Sequence, residues 1–250
     1  MNFSHFLFNF LPVKKNKVVL RSFSKNYGCN PKYIAEEIIK QKLPYKIVFI
    51  AKNAKPEDCP KGIKLVTSKI GEYFALSTAS VIVANSRIGN YFLKGFKKKK
   101  NQLYIQTWHG SLGIKKIEGS CDNLSPKYIK EAKEDSKNID YLISNSTWIT
   151  QDFKNCFFYN GKIIETGNAR NDIFFANNAK LKEEVCKYFN LKKDIKICLY
   201  APTFIDDKNL DCYNVDYDNL LKNLKEKFGG NWVVVSRLHP NLSKTGRLVC

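Results

Sequence analysis

From Lys17 onward, short runs dense in Val, Ile, Leu and Tyr alternate with stretches in which apolar positions recur every three or four residues. KVVLRSF reads as a buried strand. Gly28 then breaks the chain, and PKYIAEEIIKQ sets Tyr33, Ile34, Ile38 and Ile39 on one helical stripe behind Pro31, which suits a first helical turn. YKIVFIA and IKLV read as strands around a segment punctuated by Pro56 and Pro60; GEYFALSTA reads as a helix and SVIVANS as another buried strand. QLYIQTW, DYLISNS and KIIETG continue the strands. Helices are expected within SPKYIKEAKEDSKN and STWITQDFKNCF, the latter capped by Ser146 or Thr147. Strands separated by helices predict parallel βαβ units with both sheet faces covered.

A second series starts after GNARNDIFF: AKLKEEVCKYFNL as helix, KICLYAPTF as strand, DYDNLLKNLKEKFGG as helix ending at Gly229, and NWVVVSRLHP as strand. The pattern predicts an α/β protein of two Rossmann-like domains with parallel sheets, residues 1–167 and 168–250. The second has two clear strands where a doubly wound sheet ordinarily has about four to six, so it is expected to be incomplete.

The amino-terminal run MNFSHFLFNFLPVKKNK lacks the basic start and cleavage site of a signal peptide. Two readings of residues 1–17 stand side by side. One is a membrane-interface helix with Phe3, Phe6, Leu7 and Phe10 inserted and Lys14, Lys15 and Lys17 at headgroup level. The other is a first helix packed on its own domain.

Composition narrows the class. With 44% hydrophobic and 26% charged residues over 250 positions, the chain has the balance of a globular protein and no long uncharged apolar stretch. The net charge of +19 is nearly all lysine; arginine stands only at Arg21, Arg87, Arg170, Arg237 and Arg247. Base-edge readers favour arginine, so the excess points to anionic surfaces rather than to a specific nucleic acid. The eight cysteines form no CxxC pair and no zinc spacing, which implies reduced thiols in a cytoplasmic protein and no metal centre.

Candidate chemistry concentrates at strand ends. His109 closes LYIQTWHG and His239 closes WVVVSRLHPN. In open α/β sheets, ligands bind at the carboxyl ends of strands. In TWHGSLGIKK the imidazole is followed by Gly110, where backbone can approach a ligand, and by Lys115 and Lys116, which can neutralise a phosphate. Alternation along the last strand puts Arg237 and His239 on one face, towards a common anion. Thr203 lies just past a buried strand, with Asp206 and Asp207 in the loop, and Arg170 with Asp172 falls near the domain boundary. Each has a plain structural alternative: a hydrogen-bonding histidine, a turn-capping aspartate, or an Arg170–Asp172 salt bridge.

The ordered set QTWHGSLGIKK, DYLISNS, ETGNARNDIFF, YAPTF followed by DD, and SRLHPN resembles the CDP-glycerol:poly(glycerophosphate) glycerophosphotransferases, the teichoic-acid primase and polymerase family. VVLRSFSKNYGCNPKYIAEEI is similar to that family's first strand and helix. The resemblance covers Lys17 to about Asn241.

It implies a GT-B architecture and transfer of glycerol phosphate from CDP-glycerol to a hydroxyl of a membrane-linked acceptor. CMP is released, in teichoic-acid or capsule polymer synthesis at the inner membrane face. His109 and His239 fall on the family's two essential histidines; Thr203, Arg237 and the Arg170 region fall where the donor is expected. His109 is assigned as general base and His239 with Arg237 as stabilisers of the donor phosphate, the reverse split remaining open. No cofactor is implied beyond the donor substrate. Family members continue past the RLHP-type motif, whereas this chain stops after SKTGRLVC, so a truncated second domain is expected. Two alternatives stand: a GT-B glycosyltransferase using a nucleotide sugar, and an inactive fragment that binds anionic surfaces.

Overall fold

The structure, a computed structural model, describes residues 7–88, 96–110, 116–176, 179–202 and 213–238. The chain divides into two compact units, Met1–Ala176 and Asn177–Cys250.

The first unit is built on a seven-stranded parallel sheet. Its strands are β1 (Lys14–Arg21), β2 (Lys46–Ile50), β3 (Ile63–Val66), β4 (Ala79–Ala84), β5 (Leu103–Gln106), β6 (Tyr141–Ser144) and β7 (Lys162–Glu165), in the order β3-β2-β1-β4-β5-β6-β7. The helices are α1 (Cys29–Lys40), α2 (Lys69–Ser77), α3 (Pro126–Ser136) and α4 (Thr147–Cys156). Alternation along the strands sorts the core into two layers. Val18, Leu20, Ile47, Phe49 and Val83 pack with Ala35, Ile34 and Ile38 of α1. Val19, Val48, Ile50, Ile82 and Leu142 face the other way, against Tyr73 and Leu76 of α2 and Ile149 and Phe153 of α4. Both faces of the central strands are therefore apolar, which is why their sequences read as unbroken hydrophobic runs. Of the two candidate caps for α4, Ser146 is the one used: its hydroxyl accepts the Ile149 N–H at 3.3 Å.

The chain runs from β1 outward to β2 and β3, then returns to place β4 on the other side of β1. That reversal makes a crevice at the carboxyl ends of β1 and β4, the switch point where open α/β sheets bind ligands.

The amino-terminal expectation needs correction. A single 3-10 turn spans Phe8–Phe10 and a strand begins at Lys14, so residues 1–17 are not one helix. Phe8 packs on the core edge-on to Phe74, at 5.9 Å, as the domain-packed reading requires. Lys17 lies at no headgroup level. It is 6% exposed within β1, its Nζ donating to the Ala75 carbonyl at 3.0 Å and to Thr78 Oγ1 at 2.6 Å. The period-two alternation of β1 decides this, because Val18 and Leu20 already occupy one layer.

Burial, with Lys14 and Lys64 nearby, pushes the Lys17 ammonium down to about 8. Below that pH both folded and unfolded chains carry the proton, and the folded state bears the desolvation cost. Between about 8 and 10.5 the unfolded chain binds more protons, so stability rises with pH through that window. Urea titrations of wild type and Lys17→Met across it are expected to show wild type gaining roughly 1–3 kcal/mol on the variant.

The first unit extends beyond Gly167, where the sequence placed its end. A 3-10 segment, Ala169–Phe175, packs against α1, and the backbone of Arg170 is bonded to Asn30 of that helix. The second unit contains α5 (Ala179–Tyr188), β8 (Lys196–Tyr200), α6 (Tyr217–Phe228) and β9 (Trp232–Ser236), with β8 and β9 parallel. Asp216 caps α6 through the Asn219 N–H at 3.0 Å, and Gly229, at φ 62°, ends it.

Candidate active site

Three strand ends meet at the switch point. After β1 comes Phe23, after β4 Asn85, and after β5 the segment Thr107–Trp108–His109. The Phe23 N–H donates to Asn85 Oδ1 at 2.7 Å, while the Asn85 carbonyl lies 2.6 Å from Nδ1 of His109. A carbonyl oxygen only accepts, so Nδ1 carries the proton and Nε2 keeps its lone pair. The Phe23 ring stacks on the imidazole at 4.4 Å and 7°, and the Trp108 indole lies at 4.4 Å and 38°. Phe23 is itself 59% exposed, so this platform faces solvent.

Burial holds the His109 imidazole below its usual 6.5, because the imidazolium would be poorly solvated there. The Asn85 hydrogen bond and Glu118 pull upward, and Arg170 pushes further down. The ring is neutral at pH 7 with Nε2 as a proton acceptor.

The loop carrying His109 is held by its carbonyls. Asn30, 1% exposed in the first turn of α1, donates from Nδ2 to the carbonyls of Thr107 (3.4 Å) and Trp108 (3.2 Å) and to Asn168 Oδ1 (3.4 Å). Its Oδ1 accepts the Arg170 N–H at 3.2 Å. Arg170 Nη1 reaches the His109 carbonyl at 2.9 Å and Cys29 Sγ at 3.3 Å. Arg170 is thus bonded to His109 and Cys29, and the alternative of a salt bridge to Asp172 is not formed.

On the far side of this loop, Arg87 anchors the segment that follows. Its side chain is 1% exposed. It bonds Glu118 Oε2 at 2.9 Å, Asp135 Oδ2 at 3.3 Å, Ser136 Oγ at 2.9 Å and the carbonyls of Ala132 and Phe157 at 3.0 Å each. Glu118 also accepts the Tyr128 hydroxyl at 2.8 Å.

Of the residues singled out in the sequence, the first unit brings His109, Gly110 and Arg170 together. A Cβ built on Gly110 would meet nothing within 4 Å among the described residues. Lys116 stands apart at the surface, its Nζ 2.7 Å from Asp122. Lys115, Thr203, Asp206, Asp207 and His239 lie outside the described residues. In the second unit Arg237 is exposed just past β9, its N–H bonded to the Tyr200 carbonyl at 2.8 Å. Among the described residues no cluster of three His, Cys, Asp or Glu could hold a metal ion.

Phe23, Asn30, Asn85 and Arg87 were not singled out from the sequence. The available signals were polar residues closing buried strands, as in VANSR, and an asparagine directly before the Pro31 of a helix start.

A doubly wound sheet with a neutral, backbone-oriented imidazole at its switch point, followed by a second βαβ unit, places the chain among GT-B-like α/β proteins. The chain belongs to the CDP-Glycerol:Poly(glycerophosphate) glycerophosphotransferase family, whose family model matches residues 3–248. It is 34% identical over 243 residues to the teichoic acid poly(glycerol phosphate) polymerase of Staphylococcus epidermidis, an alignment covering 91% of this chain and 33% of that protein. Its fold superposes on the wall teichoic acid polymerase TagF with a TM-score of 0.76 at 30% identity, covering 97% of this chain and 62% of that one. A histidine-to-asparagine variant of TagF soaked with CDPG matches with a TM-score of 0.69 at 32% identity, over 93% of this chain and 57% of that one. The chain thus spans about a third of the length of that curated polymerase.

Proposed function

We propose that the chain takes part in transfer of glycerol phosphate from CDP-glycerol to a hydroxyl of a lipid-linked acceptor, with His109 as general base. The observation that carries this reading is the 2.6 Å contact between Nδ1 and the Asn85 carbonyl, which leaves Nε2 as the proton acceptor. In the reaction the acceptor oxygen attacks the glycerol-bearing phosphorus and its proton passes to Nε2. The bond from that phosphorus to the bridging oxygen breaks, and CMP departs with the electron pair.

Gly110 and Lys115 serve the phosphate side in the first unit, and Thr203, Arg237 and His239 the donor phosphates in the second. Membership of the family and the CDPG soak of TagF support CDP-glycerol as the donor. The product belongs to a teichoic-acid-like wall or capsule polymer. Peripheral attachment at the inner membrane face fits the charge of +19 and a chain in which no described helix is long and apolar enough to cross a membrane.

The test is CMP release from CDP-glycerol in the presence of acceptor lipid. Release that disappears in His109→Ala supports the proposal, whereas preference for UDP- or GDP-sugars over CDP-glycerol overturns the donor assignment. The pH profile supplies a further check. A base works only when neutral, and burial holds this imidazole below 6.5. The acidic limb of the rate is therefore expected to be centred below pH 6.5, falling tenfold per unit beneath the lowered pKa. An acidic limb centred above 6.5 would contradict the buried, neutral ring.

A further inference from the structure

The three carbonyls of Thr107, Trp108 and His109 are consecutive, and each is held by a side chain distant in sequence. Asn30 takes the first two and Arg170 the third, while the Arg170 N–H is itself fixed by Asn30 Oδ1. Between them Trp108 sits at φ 51°, a left-handed conformation that a bulky aromatic adopts only where its surroundings impose it. Further bonds pin the segment: the Thr107 N–H to the Ala84 carbonyl at 2.8 Å, and the Trp108 N–H to Gln106 Oε1 at 2.9 Å. A loop that only had to cover a core would not need three consecutive carbonyls and two N–H groups answered from α1, β4, β5 and the 169–175 segment.

We propose that Asn30 and Arg170 are positioning residues, a clamp on carbonyls 107–109 that turns the His109 ring onto the Asn85 carbonyl and so fixes the tautomer with Nε2 free. The proposal rests on the reading of His109 as general base and deepens it. With the carbonyls released, Trp108 relaxes from its left-handed conformation and His109, one residue on, swings away from Asn85. The ring then samples both tautomers, and only one presents a lone pair to the acceptor. The charged groups acting on the ring are Arg170, from the 169–175 segment, and Glu118, from the turn at Glu118–Ser120. Among the described residues, Phe23, Trp108 and the Asn85 carbonyl also lie against it. The hydrogen bonds of Asn30 go to the carbonyls of Thr107 and Trp108, to Asn168 and to the Arg170 N–H, so it acts on the ring through the main chain.

The experiment reads the histidine ring nitrogens by ¹⁵N NMR on the full chain, with the His109 signals assigned by their loss in His109→Ala. Wild type is expected to show a protonated Nδ1 and an unprotonated Nε2 at pH 7. In Asn30→Ala and Arg170→Ala the two tautomers mix. In Arg170→Ala the ring pKa also rises, since a cation that lowered it is gone. CMP release is expected to fall about 10–100-fold in kcat, with KM for CDP-glycerol nearly unchanged, as for a base displaced by about 1 Å. Arg170→Lys, which keeps a cationic donor near the carbonyl, recovers part of the ring signature.

Should an alanine variant not fold, Asn30→Ser and Arg170→Lys carry the same ring measurement with less disruption. An unchanged tautomer in the Asn30 and Arg170 variants overturns the clamp. So does a rise in KM alone for Arg170→Ala, which would assign that guanidinium to substrate phosphate. If the ring signature moves as expected but wild type releases no CMP, the clamp stands and the functional reading fails.

Discussion

Replacing His109 with alanine is expected to lower CMP release by about 10²–10⁴-fold, the range a positioned general base contributes. That corresponds to roughly 3–5 kcal/mol of activation barrier. The loss should fall on kcat, because the imidazole acts on the acceptor hydroxyl as its proton leaves rather than on the ground-state nucleotide. Stability should change little by comparison. The ring is only half-buried, so truncation opens no closed core cavity, and the main cost is its stacking on Phe23 at 4.4 Å, about 0.5–1.5 kcal/mol. Steady-state kinetics beside thermal melts separate the two effects. Unchanged turnover with an unchanged melt would remove His109 from the mechanism.

Arg87→Met carries the largest expected effect on stability, a loss of about 3–5 kcal/mol. The guanidinium is 1% exposed and answers two carboxylates, a hydroxyl and two main-chain carbonyls. Methionine matches its volume but leaves Glu118 and Asp135 buried without their cation. The sign of the pH dependence follows. Without Arg87 both carboxylates are easier to protonate in the folded state than in the unfolded chain, so the deficit of the variant shrinks as pH falls from 7 towards 5. Arg87→Lys should recover little, since an ammonium cannot reproduce a planar fork reaching five acceptors. Urea unfolding at pH 7 and pH 5 measures both statements, and a deficit that grows on acidification would sink them. Glu118 follows closely on the His109 loop, so the same variant should also lose activity at temperatures where it remains folded.

The strands and helices were legible because each carries its own period. Val18, Val19 and Leu20 cannot lie in a strand without filling both layers of a sheet, and Tyr33, Ile34, Ile38 and Ile39 cannot face a core except as a helix. The amino terminus leaves two readings open in the sequence because PVKKNKVVL carries two signals at once. Its lysines suggest a headgroup-level face, yet the alternation that follows draws Lys17 into the sheet, where Ala75 and Thr78 satisfy its ammonium. The end of the first unit was placed early for a similar reason: Gly167 is a local break, whereas the packing of Ala169–Phe175 against α1 joins residues about 140 apart.

At the site the same division holds. The chain by itself determined that His109 stands at the end of a buried strand, with a glycine after it and lysines close by, because strand ends, turns and charge are local properties. It also determined the family, through the order of motifs spread over most of its length. Only the tertiary structure decided which nitrogen of that imidazole is free. The partner that settles it is a main-chain carbonyl of Asn85, one such group among many that differ in direction and not in identity. The residues that aim it, Asn30 and Arg170, meet the loop only when the sheet is assembled and the strand order reverses beside β1.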